Sequence, residues 1–280
     1  MEIIETPKEM QRISTLLQAS GKTIGFVPTM GYLHEGHEKL LEAARKENEI
    51  VVLSIFVNPL QFGPNEDLDR YPRDEAHDRK VALKHKVDYL FFPHAEAMYP
   101  GPSSIELTVK RRADVLCGRS RQGHFDGVVT VLSKLFNLCR PSKTYFGLKD
   151  AQQVAVVDAL IEDFNFPVEL VPVPTVREAD GLAKSSRNVY LSEQERKEAP
   201  FIYQSLLHGK ELALQGASRE QVVSEVQAFI EERTHGRIDY IEFLSYPDLQ
   251  QLDKPKGQMI LATAVFFEKA RLIDNILIDM

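Results

Sequence analysis

The sequence predicts an α/β fold, with a parallel sheet in the first part of the chain and a smaller α+β unit in the second. Up to about residue 173, short apolar runs alternate with stretches of helical periodicity, the pattern of strand–helix–strand crossovers. Beyond residue 176, helical stretches are followed by consecutive alternating segments, which indicates a small antiparallel sheet. A length of 280 residues fits one large domain or two ordinary ones, and we expect domains over 1–176 and 177–280.

The elements of the parallel sheet follow one another in a regular order. A short apolar run over 23–28 ends at a proline, and a helix is expected over 37–49. The run 50–57 (IVVLSIFV) is apolar almost throughout, as expected for a strand buried on both faces. Further elements are predicted as a helix over 73–85, a strand over 87–93, a helix over 125–138, a strand over 144–146, a helix over 152–164 and a strand over 168–173. Ligands of such a sheet bind at the carboxyl ends of its strands.

The C-terminal unit begins with two helical stretches, over 192–214 and 218–234. Alternating segments follow at 239–244, 259–267 and 272–278. Helices followed by consecutive strands predict an α+β arrangement.

The composition excludes several classes of protein. The chain has 34 basic and 41 acidic residues, a net charge of −7, which argues against a nucleic-acid partner. Its 43% hydrophobic and 27% charged residues are typical of a globular protein. The first residues, MEIIETP, lack the basic and apolar regions of a secretory signal, and the longest apolar runs are far shorter than the roughly 20 residues that span a bilayer. We therefore expect a cytoplasmic protein with no membrane partner.

Cysteines and basic stretches offer no separate site. Cys117 and Cys139 lack the spacing of a zinc site or a disulfide framework, and we expect free thiols. The basic stretches 110–112 and 119–121 are expected on solvated surface, because the chain as a whole is acidic.

The strongest functional signal is the segment 28–37, PTMGYLHEGH, between a predicted strand and a predicted helix. Backbone N–H groups and the positive end of the helix dipole bind phosphate at such a place. Gly31 and Gly36 allow close approach of a ligand. His34 and His37, three residues apart, can donate to phosphoryl oxygens as charge develops.

Other known motifs do not fit this segment. A zinc protease needs His-Glu-x-x-His, with the two histidines four apart, and here they are three apart. Neither the G-x-G-x-x-G nor the G-x-x-x-x-G-K-[ST] fingerprint occurs. An isolated H-x-x-H is more often a surface pair than a site, but the strand–turn–helix context favours a site here.

Three further clusters contain polar side chains at predicted strand ends or at the domain boundary. The segment 56–64 includes Gln61 and continues through Glu66 and Asp67 to 71–73; its amides suit a neutral polyol or hydroxy acid, although a plain Pro/Gly loop is the alternative. The segment 145–153 includes Lys149, a mobile charge suited to phosphate, and Asp150, a potential helix cap. The segment 177–188 includes Lys, Ser and Arg side chains suited to polyphosphate, with a solvated linker as the alternative.

Together these segments resemble the pantothenate synthetases, a family of the nucleotidyltransferase superfamily. PTMGYLHEGH, FVNPLQFGPNEDLDRYPR, GRSRQGHFDGV, FGLKDAQQ and READGLAKSSRN occur in the family's order. His34-x-Gly36-His37 is similar to the HIGH motif, and 184–187 take the place of the KMSKS loop. Leu148 and Lys184 depart from the family pattern, which has Gln or Glu and an apolar residue there. Lys184 either adds a phosphate contact or points to solvent.

The resemblance implies a Rossmann-like N-terminal domain, a C-terminal lid domain and a two-step reaction. Pantoate's carboxylate attacks the α-phosphorus of ATP to give pantoyl adenylate and pyrophosphate, and β-alanine then displaces AMP. It also implies Mg²⁺, to which no residue is assigned, and a homodimer. Because such an adenylate is labile to water, we expect the site to close over it, with the 184–187 loop at the domain boundary as part of the lid.

The resemblance also implies a set of site residues. His37 is the catalytic acid, assisted by His34 and Lys149, and Gln61 and Gln153 hold the organic substrates. The residues implied for ATP are Met30, Gly31, Tyr32, Leu33, His34, Glu35, Gly36, His37, Gly147, Leu148, Lys149, Asp150, Val176, Lys184, Ser185, Ser186 and Arg187.

Two alternatives remain open. An adenylyltransferase acting on a phosphorylated acceptor, of the nicotinate mononucleotide or phosphopantetheine type, would share the HxGH start but would need a basic acceptor site in place of Gln61 and Gln153. A non-catalytic nucleotide-binding module would be expected to have lost one of the histidines or part of the 184–187 set.

Overall fold

The computed structural model describes residues 1–63 and 68–280. These residues pack into two units. The first comprises 1–109, 121–148 and 156–174, and the second comprises 110–120, 149–155 and 175–280. Glu66 and Asp67 of the sequence cluster lie outside the described residues, and the single domain boundary near residue 176 stays a prediction.

The first unit contains a parallel sheet, which confirms the predicted α/β class. Its described strands are β1 (Glu2–Ile4), β2 (Ile24–Thr29), β3 (Ile50–Ile55), β4 (Tyr89–Phe91), β5 (Lys143–Gly147) and β6 (Glu169–Val173). They lie in the order β1-β4-β3-β2-β5-β6, and every pairing among them is parallel. The apolar run of β3 is central, and Val51, Val52 and Leu53 have no exposed surface.

Helices connect these strands at the predicted places, and the structure has three further elements. The helices are α1 (Pro7–Ala19), α2 (Glu35–Glu47), α3 (Glu75–Lys84), α4 (Ala95–Met98), α5 (His124–Cys139) and α6 (Ala151–Phe164). The three further elements, β1, α1 and α4, are not among those predicted from the sequence.

The strand order creates a switch point between β2 and β5. From β2 the chain adds β3 and β4 on one side, whereas β5 and β6 lie on the other. Gly25 of β2 is in register with Lys143 of β5. Ligands of open parallel sheets bind outside the carboxyl ends of the strands at such a point. We therefore expect a ligand site at the turns after β2 and β5.

The second unit contains an antiparallel sheet of three described strands in the order β7-β8-β9, as the alternating segments predict. Its elements are α7 (Glu193–Glu198), α8 (Pro200–Leu214), α9 (Arg219–Arg233), β7 (Arg237–Ser245), β8 (Gln258–Phe266) and β9 (Arg271–Asp279). The helical stretch predicted over 192–214 is therefore two helices, and α8 starts at Pro200, which lacks the N–H needed inside a helix. Ile202, Val226 and Phe243 lie in the core between helices and sheet.

Segments from the first half of the chain complete this unit. The Arg112 guanidinium donates to the carbonyl of Ala155 at 2.6 Å and to Asp248 at 2.9 Å, and only 12% of its side chain is exposed. Gln152 donates to the carbonyls of Arg112 and Val115. The expectation that 110–112 is solvated surface is thus wrong for Arg112, because its charge is paired and its stem is packed.

The cysteines are both free, Cys139 buried and Cys117 half-buried, and burial raises the pKa of the Cys139 thiol well above its usual value. None of the described helices is long and apolar enough to cross a membrane.

One ion-pair cluster makes the stability of the first unit depend on pH. Glu38 of α2 accepts hydrogen bonds from Lys84 and His85 at the end of α3, and the bonds from Lys84 first and His85 second lower the pKa of Glu38 below 4.5. A carboxyl with a lowered folded-state pKa stabilises the protein above its unfolded pKa, and this stabilisation is lost as pH falls through the folded-state pKa.

We therefore expect Glu38→Gln to lower the free energy of unfolding at about pH 6, and the difference from the unsubstituted protein to shrink toward about pH 3.5. Urea unfolding at both pH values measures it. Glu42→Gln, which removes an exposed pair with Lys39 on the same helix, is the matched control. A difference for Glu38→Gln that stays constant with pH would contradict the assignment.

Candidate functional site

The turn after β2 is built by close backbone packing. Thr29 Oγ1 accepts from the Gly31 N–H at 3.2 Å and donates to the Ser54 carbonyl at 2.9 Å. Gly31 has a φ of +86°, and a Cβ there would lie 2.9 Å from Asp78 Oδ2 and 3.0 Å from Ile55 Cγ2. Only glycine combines this conformation with this space, so the position of Gly31 in the predicted motif has a steric reason.

The two histidines of the motif form the N-terminal cap of α2. His34 is the N-cap, and its Nδ1 accepts from the Gly36 N–H at 3.1 Å. His37 reaches back, and its Nδ1 accepts from the His34 N–H at 3.2 Å. Gly36 permits this arrangement, because a Cβ there would lie 2.8 Å from His34 Cε1.

This reciprocal cap determines where each ring has its proton. A ring nitrogen that accepts a backbone N–H bond cannot bear a hydrogen, so in the neutral form Nε2 of each ring is the protonated nitrogen. The two ring centroids are 4.2 Å apart, at the helix end where backbone N–H groups and the helix dipole favour anions. Nε2–H is therefore the donor group of each neutral ring.

Two residues of α3, Asp78 and His77, hold the turn after β2. Neither is among the residues predicted from the sequence. Asp78 is 2% exposed, and its carboxylate accepts from the N–H groups of Tyr32 at 2.9 Å and Leu33 at 2.7 Å. His77 Nε2 lies 2.9 Å from the Leu33 carbonyl, to which it donates because a carbonyl only accepts. Burial raises the pKa of Asp78, although the two backbone hydrogen bonds act in the opposite direction.

The turn after β3 brings Gln61 beside the histidine turn. Gln61 ends the 3₁₀ helix Pro59–Gln61, is 8% exposed, and donates from Nε2 to Met30 Sδ at 3.0 Å. Its main-chain carbonyl lies 2.8 Å from Nδ1 of His124, at the start of α5. Arg121 NH1 lies 3.0 Å from Nε2 of the same ring, so Nε2 accepts and Nδ1 donates to Gln61. His124, which is not among the residues predicted from the sequence, therefore holds the main chain of Gln61.

The turn after β5 lies at the other strand of the switch point. Gly147 ends β5, and Leu148–Asp150 form a 3₁₀ turn before α6. In the second unit, the Lys149 carbonyl accepts from Asn275 Nδ2 at 3.0 Å, and Lys149 Nζ lies 3.8 Å from Asp150 Oδ2. Gln153 lies on α6 and is half-buried.

The loop of the second unit that includes 184–187 is anchored at its base. The Val176 carbonyl accepts from the Lys184 N–H at 2.9 Å. The Arg177 guanidinium donates to both carboxylate oxygens of Asp274 at 2.6 and 2.9 Å and stacks 3.5 Å from the Tyr203 ring centroid. These contacts fix the start of the loop at Val176.

Within the loop, Lys184 Nζ pairs with Glu178 at 2.8 Å, so its side chain has an acidic partner in the loop itself. Ser185 Oγ accepts from the Arg187 N–H at 3.3 Å and caps the 3₁₀ helix Ser186–Tyr190.

The structure therefore groups the predicted residues in two sets. In the first unit, the residues at or beside the carboxyl ends of β2, β3 and β5 are Met30, Gly31, Tyr32, Leu33, His34, Glu35, Gly36, His37, Gln61, Gly147 and Leu148. In the second unit are Lys149, Asp150, Gln153, Val176, Lys184, Ser185, Ser186 and Arg187. That both sets act on one ligand stays a prediction.

The donor set bears on the expected Mg²⁺. In 1–63 and 68–280, no three His, Cys, Asp or Glu side chains form a group that could hold a metal ion. Mg²⁺ is commonly held by one or two carboxylates together with substrate phosphates rather than by an all-protein cage. The expected Mg²⁺ stays a prediction.

The family model and the similar sequences all point to one enzyme family. Residues 2–277 match the family described as pantoate-beta-alanine ligase. The chain is 61% identical over 282 residues to the pantothenate synthetase of Geobacillus thermodenitrificans, covering 100% of this chain and 97% of the relative. It is 59% identical to the pantothenate synthetase of Bacillus cereus, covering 99% and 98%.

Solved structures with the same fold belong to the same family. The pantothenate synthetase of Thermus thermophilus superposes with a TM-score of 0.91 at 44% identity, covering 99% of both chains. The pantoate-beta-alanine ligase of Francisella tularensis, crystallised with beta-gamma ATP and beta-alanine, superposes with a TM-score of 0.80 at 34% identity, covering 99% of this chain and 97% of that one.

Proposed function

Since the chain belongs to the pantoate-β-alanine ligase family and is an ATP-dependent ligase of pantothenate biosynthesis, we propose that it joins pantoate to β-alanine through a pantoyl adenylate, releasing pyrophosphate and then AMP. The observation that supports this most is the His34–His37 cap at the N-terminus of α2. It provides two Nε2–H donors at the switch point of the sheet, where a phosphoryl group gains charge during transfer.

The first step needs charge neutralisation and alignment rather than a base. A carboxylate is already ionised at neutral pH, so pantoate attacks the α-phosphorus of ATP directly. His37 donates toward the phosphate as the acid, with His34 beside it. Lys149 and Arg187 neutralise the departing pyrophosphate, and the hydroxyls of Ser185 and Ser186 donate hydrogen bonds to it. Mg²⁺ enters as the ATP complex and supplies further neutralisation of the triphosphate.

The nucleotide is bound by backbone as well as by side chains. We assign 30–37 and 147–150 to its phosphates and ribose, and Val176 to the neighbourhood of the adenine. The turn at Gly31 and the anchored loop base at Val176 support this assignment. The Francisella relative is complexed with beta-gamma ATP, which supports ATP as the nucleotide.

The organic substrates are bound by neutral amides. We assign Gln61 and Gln153 to pantoate, because the amide group can form hydrogen bonds with hydroxyls and with a carboxylate without carrying a charge. In the second step, the amine of β-alanine attacks the activated carbonyl, and AMP leaves with the electron pair of the broken C–O bond. The β-alanine in the Francisella relative supports this acceptor.

The adenylate is sensitive to water, so its site has to close. We assign closure to the loop over 184–187, and we propose a cytoplasmic homodimer as the working form. Spin labels on this loop and on α2 should report a distance that changes when a non-hydrolysable ATP analogue is added, and an unchanged distance would contradict closure.

The test of the reaction is pyrophosphate release with pantoate as the only acid, with and without β-alanine. We expect pyrophosphate to be released with pantoate alone. AMP and pantothenate should appear only after β-alanine is added. Release that requires a phosphorylated acceptor would instead indicate an adenylyltransferase. ATP binding without any turnover would indicate a non-catalytic module.

Gln61→Ala should raise the KM for pantoate by about tenfold, since one or two hydrogen bonds are lost, with the KM for ATP unchanged. Steady-state kinetics with each substrate varied measures both constants. Gln227→Ala, an exposed position on α9, is the control. Equal increases in both KM values would show that Gln61 does not act on pantoate selectively.

A further inference from the structure

We propose that Tyr99 is a positioning residue which, through Asn58, orients the Gln61 amide so that its NH2 group, and not its oxygen, faces the acid substrate. The inference rests on the proposed function and deepens it. It identifies the substrate atom at Gln61 as a hydrogen-bond acceptor. Tyr99 lies 38 positions after Gln61 in the chain, so no local motif connects the two.

The orientation begins at two backbone groups. Asn58 is 1% exposed; its Oδ1 accepts from the Leu60 N–H at 3.3 Å, and its Nδ2 donates to the Gly127 carbonyl at 3.0 Å. A backbone N–H only donates and a carbonyl only accepts. The oxygen and the nitrogen of the Asn58 amide are therefore assigned without ambiguity.

Tyr99 completes the acceptor side of Asn58. Its hydroxyl donates to Asn58 Oδ1 at 2.9 Å. Burial raises the pKa of Tyr99 well above its usual value, so this hydroxyl remains a donor throughout the working pH range. The ring is held between Phe56, with centroids 6.1 Å apart, and Lys134, whose Nζ is 5.4 Å from the ring centroid.

The donor side of Asn58 sets Gln61. Asn58 Nδ2 donates to Gln61 Oε1 at 3.3 Å, which leaves Gln61 Nε2 on the side of Met30, 3.0 Å from its sulfur. His124 fixes the main chain of Gln61. Both ends of Gln61 are held, and turning its amide by 180° would place two NH2 groups against each other.

This orientation of Gln61 determines which kind of substrate atom it can bind. The atom that meets Gln61 is an oxygen with a lone pair, as in the carboxylate or hydroxyl of a small hydroxy acid, and an ammonium at the same place is rejected. A thioether sulfur is a weak acceptor, so Gln61 Nε2 exchanges a poor partner for a better one when the acid binds.

The first test is Tyr99→Phe, which retains the ring and removes the donor. We expect the KM for pantoate to rise by about fivefold to tenfold, the effect of one hydrogen bond, while kcat and the KM for ATP stay within about twofold of the parent values. Tyr89→Phe in β4, half-buried and outside this network, is the control. An unchanged KM for pantoate in Tyr99→Phe overturns the proposal.

The second test separates positioning from general stability. If Tyr99 acts through Gln61, Tyr99→Phe should have no further effect on the KM for pantoate in a Gln61→Ala background, because the two changes act on one interaction. Multiplicative effects would overturn the proposal. Absence of pantoate-dependent pyrophosphate release in the unsubstituted enzyme would instead refute the proposed function, so the two failures are distinguishable.

Discussion

His37→Ala is expected to lower kcat for pantoate-dependent pyrophosphate release by about 100-fold or more, as losing one donor to a developing charge does. The cap geometry places the His37 proton on Nε2, because Nδ1 accepts from the His34 N–H. Truncation removes this donor and also opens the capping box. Lys149→Ala should lower kcat to a similar extent through its loss of positive charge.

The two consequences of His37→Ala can be separated with His37→Gln. Glutamine at the third helical position restores the capping box but not the imidazole donor, so it should recover most of the roughly 1 kcal/mol lost with a cap and leave kcat low. Single-turnover kinetics and thermal unfolding of both variants measure this. Near-parental turnover in His37→Gln would mean that the ring acts on helix structure and not on the phosphate.

Asp78→Ala is expected to have the largest effect on folding stability among the changes considered. It leaves the N–H groups of Tyr32 and Leu33 without their acceptor, and two unsatisfied buried donors cost about 3 kcal/mol. Because these amides belong to the turn that leads into His34, the KM for ATP should rise as well.

Asp78→Asn tests the same assignment at constant volume. Asparagine retains one acceptor oxygen but presents an NH2 group to the second N–H, so an intermediate loss of stability is expected in urea unfolding. Asp163→Ala, at an exposed position on α6, is the control. If Asp78→Asn were as stable as the parent protein, the carboxylate would not be holding the turn.

Much of the fold follows from local pattern. The continuous apolar run of β3 results from burial on both faces. β8, expected as an alternating segment, is likewise buried at every position from 259 to 265. The elements without a prediction have weaker signals. β1 is three residues long and α4 four, and the division of 192–214 into α7 and α8 depends on the geometry at Ala199 and Pro200.

The site divides in the same way. His34, His37 and Gln61 are predictable because they follow strand ends in a chain whose topology brings those ends together. Three other residues contact the same turns: Asp78 lies on α3, Tyr99 directly follows α4, and His124 is the first residue of α5. Each reaches its partner through tertiary packing, and a single Asp or Tyr in a helical pattern has no sequence signal that distinguishes it from a surface residue.

The presence of segments 110–120 and 149–155 in the second unit has a consequence for biosynthesis of the chain. The buried Glu242 carboxylate of β7 accepts from the Leu116 N–H and pairs with Arg119, so a fragment starting at residue 177 would lack both of these partners. During translation these early segments leave the ribosome long before β7, β8 and β9 exist. The early segments therefore wait for their partners until β7, β8 and β9 have been synthesised, unlike a domain that folds as its own contiguous stretch emerges.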